Sequence, residues 1–160
     1  MKAKSARINF CLLLLLVLSF PVAGLAGEIG RDGRFIAYAD GTVLDKESGL
    51  MWAAKDNGTD INWQGANRYC ENYRGGGHTD WRMPTQGELA GLYDNAKTYK
   101  SDCGDEVKLT ELIRLTCAWA WASEKRVSDA ALFYFTVGRR VWRHQSFAYY
   151  YRALPVRSGK

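Results

Sequence analysis

The side chains best suited to binding chemistry in this chain are arginines near its C-terminus. From residue 125 to the end there are eight basic residues and one acidic residue. Arg139 and Arg140 directly follow a Val-Gly pair that is typical of a hairpin tip. Guanidinium groups bind sulfate and carboxylate groups through paired hydrogen bonds. We therefore expect a site for an anionic ligand. Its candidate contacts are Arg139, Arg140, Arg143, Arg152 and Trp142.

A second interpretation is that these arginines are only the solvated outer side chains of half-buried strands. Alternation along a strand places Val141 and Arg143 on one face and Trp142 and His144 on the other. The aromatic residues would then face the core and would not join the basic surface.

Five further tryptophans have two possible roles. They could form a sugar-stacking platform, but aromatic residues at periodic positions more often build a hydrophobic core. We interpret them as core residues. They are Trp52, Trp63, Trp81, Trp119 and Trp121.

The sequence offers little for catalysis. It has two histidines, His78 and His144, and no cysteine or serine has a base at motif spacing. Cys70 is the remaining candidate nucleophile. The glycines at 75–77 lack the Gly-Lys-Ser/Thr of a phosphate-binding loop. We expect no catalytic residues, no cofactor and no enzymatic activity.

Metal and nucleic-acid sites are also weakly supported. Asp56, Asn57 and Asp60, and the acidic residues of 102–106, do not match a known calcium-loop pattern. Without residues 1–26 the chain carries nineteen basic and seventeen acidic residues, a net charge of +2. We expect no metal site and no nucleic-acid partner.

The N-terminal residues have the pattern of a secretory signal. Basic residues precede an apolar run at 10–22, and Gly24-Leu25-Ala26 provides small residues for cleavage. We predict a signal peptide at 1–26 and one domain at 27–160, located in the periplasm or outside the cell, with no membrane span after cleavage. An uncleaved N-terminal anchor is the alternative.

Three cysteines would remain after cleavage, and export favours one disulfide between two of them. We predict Cys103 with Cys117, because Cys103 lies in a polar loop where a covalent link is useful. The competing pairing is Cys70 with Cys117.

The order of secondary structure predicts an α+β domain. Short strands joined by Gly-containing turns cover 35–52, and helices cover about 63–74 and 86–94. Thr85 and Glu88 form a capping-box pattern that starts the second helix. A less regular helical pattern covers 109–117. Strands at 118–123, 131–136, 141–144 and 147–156 follow, and we expect the terminal strands to pair.

Several of these segments together resemble the Lcl C-terminal domain family, named for the C-terminal domain of the Legionella collagen-like adhesin. The matching segments are 40–45 with 48–52, then Trp63-x-x-Ala66-x-x-Tyr69-Cys70, then 76–85 with Glu88-Leu89, then Trp121-Ala122-Ser123, and Val156-Arg157-Ser158-Gly159. Family members often carry a cysteine near the terminal Val-Arg, which this chain lacks.

This resemblance implies a C-type-lectin-like topology, with two main helices packed on a mixed, mostly antiparallel sheet. It also implies an exported, non-enzymatic module that binds anionic, sulfated polysaccharide. The alternative is a protein-interaction or structural module of the cell envelope. A third reading is an enzyme distantly related to formylglycine-generating enzymes, whose cysteine pair has no match here.

Overall fold

A computed structural model describes residues 26–160, and in this range the chain forms two α-helices and eleven β-strands. The mixed α+β class predicted from the sequence is confirmed. The predicted signal peptide lies outside the described residues, except for its last residue. The strands are β1 Glu28–Asp32, β2 Phe35–Tyr38, β3 Thr42–Asp45, β4 Leu50–Ala53, β5 Tyr99–Lys100, β6 Glu106–Val107, β7 Trp119–Lys125, β8 Asp129–Tyr134, β9 Arg139–His144, β10 Tyr151–Arg152 and β11 Val156–Ser158.

The strands form several small sheets. The first has the order β1-β2-β3-β4-β11, and all its neighbouring pairs are antiparallel. The second has the order β10-β7-β8-β9, in which only the β10–β7 pair is parallel. Strands β5 and β6 pair with each other. The C-terminal strand β11 pairs with β4 and so joins the sheet of the N-terminal strands. The first and last strands, β1 and β11, lie at opposite edges of this sheet and do not pair directly, contrary to the prediction.

The turns of the first sheet follow from its sequence. Gly41, between β2 and β3, has φ of 80°, a left-handed conformation that glycine adopts without a steric cost. In the next turn the Asp45 carboxylate accepts hydrogen bonds from the backbone of Glu47 and the hydroxyl of Ser48. These contacts satisfy the turn's polar groups within the chain.

Both predicted helices are present and end two residues earlier than predicted. Helix α1 covers Trp63–Asn72 and starts at Asn62, whose side chain accepts the backbone N–H of Gly65. Helix α2 covers Gln86–Leu92. The predicted capping box is confirmed, because the Thr85 hydroxyl accepts the backbone N–H of Glu88 and the Glu88 carboxylate accepts that of Thr85.

The helices pack on opposite faces of β7 and β8. Ala66 and Cys70 of α1 contact a cluster that includes Leu132, whereas Leu89 of α2 belongs to the cluster around Phe133. Consecutive residues of a strand point to opposite faces, so β8 contributes to both clusters. This central position explains why 130–133 are fully or almost fully buried.

The core interpretation of the tryptophans is confirmed fully for three of them and in part for the other two, which pack against a core cluster. Trp52, Trp81 and Trp121 are buried, whereas Trp63 and Trp119 are only half-buried. The indole N–H of Trp121 donates to the carbonyl of Ile61 at 2.8 Å, which ties β7 to the chain before α1.

The predicted helix at 109–117 is wrong. The segment is irregular, and several of its backbone amides donate to side chains or to a distant carbonyl instead of forming a helical ladder. The N–H of Leu115 donates to the Tyr99 hydroxyl and that of Thr116 to the Asp56 carboxylate. Leu109, Ile113 and Leu115 are all fully buried. The spacing of the apolar residues in this segment therefore reflects their burial in the core and not a helix.

The predicted strand at 147–156 is also wrong as a continuous element. Residues 147–150 form a loop, and two short strands, β10 and β11, follow it. Strand β10 joins the second sheet and β11 the first. The chain must therefore change sheets between them, at 153–155.

Cys103 and Cys117 form a disulfide with their Cα atoms 5.1 Å apart, so the predicted pairing is confirmed and the alternative with Cys70 is wrong. Cys70 is a free thiol, buried on the inner face of α1. Among the described helices, neither is long and apolar enough to cross a membrane.

Candidate functional site

Three of the four arginines of the predicted anion site, Arg139, Arg140 and Arg143, lie on strand β9, at an edge of the second sheet. Arg139 lies opposite Tyr134 and Arg140 opposite Phe133. Because successive side chains of a strand alternate, Arg139 and Arg143 share one face of the sheet and Arg140 lies on the other. The strand therefore presents guanidinium groups on both sides of the sheet edge.

These three side chains are exposed, and no carboxylate within residues 26–160 forms a salt bridge with them. Arg143 donates from Nη1 to the carbonyl of Trp142 at 3.0 Å. Other arginines are already paired: Arg82 binds Glu88 at 2.6 Å and Arg157 binds Asp80 at 2.7 Å. The β9 guanidinium groups thus keep donors directed at solvent, where an anion can reach them.

Trp142 does not offer a free ring face at this edge. The guanidinium carbon of Arg126 lies 3.9 Å from the centre of its ring. The half-buried side chain also packs against the cluster that includes Phe133. A cation over the indole face stabilises this arrangement. Arg126 therefore places positive charge over Trp142 and covers the surface on which a sugar ring would stack.

Arg152 is not part of the exposed basic surface, contrary to its prediction as a glycan contact. Only 5% of the residue is exposed. Its Nε donates to the Thr116 hydroxyl at 2.6 Å, and its Nη2 lies 2.8 Å from the sulfur of Cys117. Its Nη1 donates to the Asp60 carboxylate at 2.7 Å. The side chain therefore connects β10 to the disulfide and to the loop before α1.

The acidic partners of Arg152 include two of the residues considered for calcium. Burial raises the pKa of Asp56, although hydrogen bonds from Thr116 and Gly58 and the nearby Arg152 charge oppose that rise. Asp60 is half-exposed and contacts Arg152 as well as the backbone N–H of Tyr150. The carboxylate oxygens of Asp56 and Asp60 thus accept hydrogen bonds from the protein's own N–H and O–H groups. Within residues 26–160 no group of three or more potential ligands is placed to hold a metal ion.

An exposed aromatic surface lies next to the basic edge and was missed from the sequence. Residues 147–150, which we call the aromatic loop, expose Phe147, Tyr149 and Tyr150. With Trp119, Tyr151 and Arg143 they line a shallow groove of about 350 Å³. The sequence does contain four aromatic residues within 147–151. The strand predicted at 147–156 included them, so they were not considered as an exposed surface.

A row of side chains crosses the second sheet beside this groove. Tyr151 pairs with Trp119, Trp119 with Tyr134, and Tyr134 with Arg139. The Trp119 and Tyr134 rings are stacked, with centres 3.9 Å apart and planes 8° apart. The row therefore joins the aromatic groove to the basic edge on one face of the sheet.

Cys70, the candidate nucleophile, lies away from this surface. It is fully buried in the cluster under α1, and burial raises the pKa of its thiol far above the ordinary range. A thiol is a nucleophile only as the thiolate. In this environment the thiolate is strongly disfavoured, so the side chain acts as a small apolar group.

Comparison with known proteins finds one family. The family model described as the Lcl C-terminal domain matches residues 41–157, which include both helices, the disulfide and the whole of the second sheet. No curated protein matches the chain.

Proposed function

Because this chain belongs to the Lcl C-terminal domain family, we propose that it is an exported, non-enzymatic module that binds anionic glycans through the arginines of β9. The family suggests an adhesin-related domain. The family and the Cys103–Cys117 disulfide together suggest an exported protein, since disulfides persist in oxidising compartments. We further propose a C-type-lectin-like arrangement of the sheets and helices and a periplasmic or extracellular location.

The observation that carries the proposal is the row of exposed, unpaired guanidinium groups on an edge strand. Arg139, Arg140 and Arg143 lie within five consecutive positions of β9, and none of them forms a salt bridge within the described residues. Sulfate and carboxylate groups accept such paired hydrogen bonds. A long polyanion can span both faces of an edge, which a small ligand in an enclosed pocket cannot do.

A heparin column tests this proposal. We expect the protein to be retained and to elute as salt rises, because surface charges are screened. Arg139→Ala/Arg140→Ala should elute at clearly lower salt. The matched control is Lys46→Ala/Arg68→Ala, which removes two exposed charges elsewhere. Elution of the β9 variant together with the wild-type protein would reject this site.

A second candidate function is binding of an envelope protein, and the position of β9 supports it. The strand has a neighbour on one side only within the described sheets, so it offers backbone donors and acceptors to another chain. A partner held by main-chain pairing should remain bound to Arg139→Ala/Arg140→Ala at high salt. A partner that leaves under those conditions is held by the arginines instead.

A distant relative of the formylglycine-generating enzymes is the third candidate and has the least support. Such chemistry requires a reactive thiol, and the buried Cys70 is the free thiol among the described residues. Redox-dependent turnover that is lost in Cys70→Ala would favour it over the binding proposals.

A further inference from the structure

The aromatic loop exposes a large apolar surface on a short stretch of chain. The exposed fractions are 54% for Phe147, 70% for Tyr149 and 44% for Tyr150. Single exposed apolar residues are ordinary, but contiguous ones mark binding surfaces. Here they lie beside half-buried Trp119 and Tyr151, so the aromatic surface continues into the groove.

Hydrogen bonds of the loop's backbone support its conformation. Tyr150 has φ of 66°, which is uncommon for a residue with a side chain. Its backbone N–H donates to Asp60, which Arg152 holds in turn. The N–H of Phe147 donates to the carbonyl of His144. Unfavourable backbone geometry that is held by its surroundings is concentrated at functional sites.

A loop that is ordered before the ligand binds loses less conformational entropy on binding. Exposed side chains normally lose freedom when a ligand orders them. The Tyr149 and Tyr150 rings already contact each other, with centres 4.0 Å apart, and their hydroxyls share a hydrogen bond of 3.1 Å. Aromatic rings on a fixed backbone therefore offer contact area with little left to order.

The charge beside the loop indicates the kind of ligand. Arg143 lines the same groove and is exposed, with no carboxylate partner among the described residues. Because Trp119 stacks on Tyr134, its ring is partly covered, and the more accessible rings are those of Phe147 and Tyr149. The groove thus combines open aromatic faces, phenol hydroxyls and one forked cation.

We infer that the groove formed by the aromatic loop, Trp119, Tyr151 and Arg143 is a subsite for one pyranose ring of an acidic glycan. The C–H face of the ring packs on Phe147 and Tyr149, and its hydroxyls bond to the phenol groups. Arg143 binds the carboxylate or sulfate that the ring carries. This inference rests on the proposed function: the β9 arginines attract the polyanion, and the groove recognises that it is a sugar.

Two polyanions separate these contributions. Heparin oligosaccharide carries sulfate groups on pyranose rings, whereas poly(vinyl sulfate) carries them on a hydrocarbon chain. We expect the intact mature protein to bind heparin more tightly per sulfate. Phe147→Ala/Tyr149→Ala should weaken heparin binding about tenfold and leave poly(vinyl sulfate) binding unchanged. Tenfold corresponds to about 1.4 kcal/mol, or roughly 0.7 kcal/mol for each of the two ring contacts.

The controls address folding and site. Ile29→Ala/Val127→Ala removes two apolar side chains that are exposed elsewhere and should bind both polyanions like wild type. Tyr149→Phe keeps the ring and should lose less heparin affinity than Tyr149→Ala. If the double variant does not fold, the single change at the mostly exposed Tyr149 carries the comparison.

The outcomes distinguish this inference from the proposal on which it rests. Equal losses for both polyanions, or unchanged heparin binding, would overturn the pyranose subsite while the β9 site stands. Wild-type protein that binds neither polyanion would overturn the proposed function and the subsite together. Selective loss of heparin binding supports both.

Discussion

Arg152 donates from Nη1 to Oδ1 of Asp60 at 2.7 Å, and the same oxygen accepts the backbone N–H of Tyr150 at 3.1 Å. The other end of the guanidinium reaches Thr116 and the sulfur of Cys117. One carboxylate thus connects the exposed aromatic loop to a buried arginine at the disulfide. The backbone of the exposed loop is therefore supported by a buried residue, Arg152, through Asp60.

Asp60→Ala should therefore affect stability and binding together. The change removes one acceptor from the buried Arg152 and the anchor of the Tyr150 amide. We expect a loss of about 1 to 2 kcal/mol in the free energy of unfolding. Hydrogen bonds to charged groups contribute about 1.5 to 3 kcal/mol, and solvent around the half-exposed Asp60 reduces that contribution. Heparin affinity should also fall. Urea denaturation and a heparin titration measure the two effects.

The control for this change is Asp102→Ala. Asp102 forms an exposed contact of 3.9 Å with Arg114, and exposed pairs contribute little. An effect of Asp102→Ala on stability as large as that of Asp60→Ala would argue against a special role for the Arg152–Asp60 pair.

Removing the disulfide should destabilise the domain. Cys103→Ser/Cys117→Ser opens a loop with a sequence separation of 14. The chain-entropy model predicts a loss of about 3 kcal/mol for a loop of this size. Urea unfolding of the variant, compared with wild-type protein with and without reductant, measures it. Reduced wild-type protein should match the double variant, and a reduced protein as stable as the oxidised one would refute the prediction.

Glu88→Gln should reveal a pH-dependent contribution of the α2 capping box. Burial would raise the pKa of Glu88, but hydrogen bonds from Arg82 and Thr85 outweigh it, and the net shift is downward. A lowered pKa stabilises the fold above the ordinary value of 4.5, and that stabilisation is lost as pH falls through the folded value.

The expected deficit of Glu88→Gln is about 1 kcal/mol at about pH 7 and much less at about pH 3. Unfolding curves at both pH values measure it. Glu111→Gln is the control, because Glu111 is exposed. A deficit that is the same at both pH values would mean that the Glu88 charge is not involved.

Cys70 should be unreactive while the protein is folded. It is fully buried, and the raised pKa of its thiol keeps it protonated. A thiol reagent should label it only after denaturation by urea, as mass spectrometry can show. Rapid labelling of the native protein would reveal an accessible thiolate and would reopen the enzymatic interpretation.

Position 150 should prefer glycine to alanine. Tyr150 has φ of 66°, where a Cβ atom costs about 1 kcal/mol and glycine has no such cost. Tyr150→Gly should therefore be more stable than Tyr150→Ala by about 1 kcal/mol. At position 149, where φ is not positive, the order should be reversed. Equal stabilities at position 150 would show that the loop relaxes.

Local chemistry allowed several elements to be predicted from the sequence. The capping box of Thr85 and Glu88 and the glycine turn at Gly41 depend on residues close in the chain, whose geometry is nearly independent of the rest. The pairing of Cys103 with Cys117 was predictable for a related reason, since Cys103 lies in a polar loop and Cys117 is 14 residues further along the chain. The arginines of β9 followed from alternation along one strand.

Contacts between distant segments could not be predicted in this way. In the sequence Arg152 looks like one more surface arginine. In the structure it is bound by Asp60, which is 92 residues away in the chain, and by Thr116. The segment 109–117 has an apolar pattern, but partners such as Tyr99 and Asp56 bind its amides and remove the need for a helix. In such cases long-range hydrogen bonds and burial outweigh local preference.

The aromatic loop shows the same division. The sequence by itself shows that residues 147–151 contain a cluster of aromatic residues. Composition alone does not determine whether those rings pack in the core or face solvent. That depends on which side chains from other segments form the core. Here the aromatic residues of the two core clusters beside β7 and β8 include Phe133, Phe135 and Trp121. The rings of Phe147, Tyr149 and Tyr150 stay exposed beside Arg143, because other side chains make up the two core clusters.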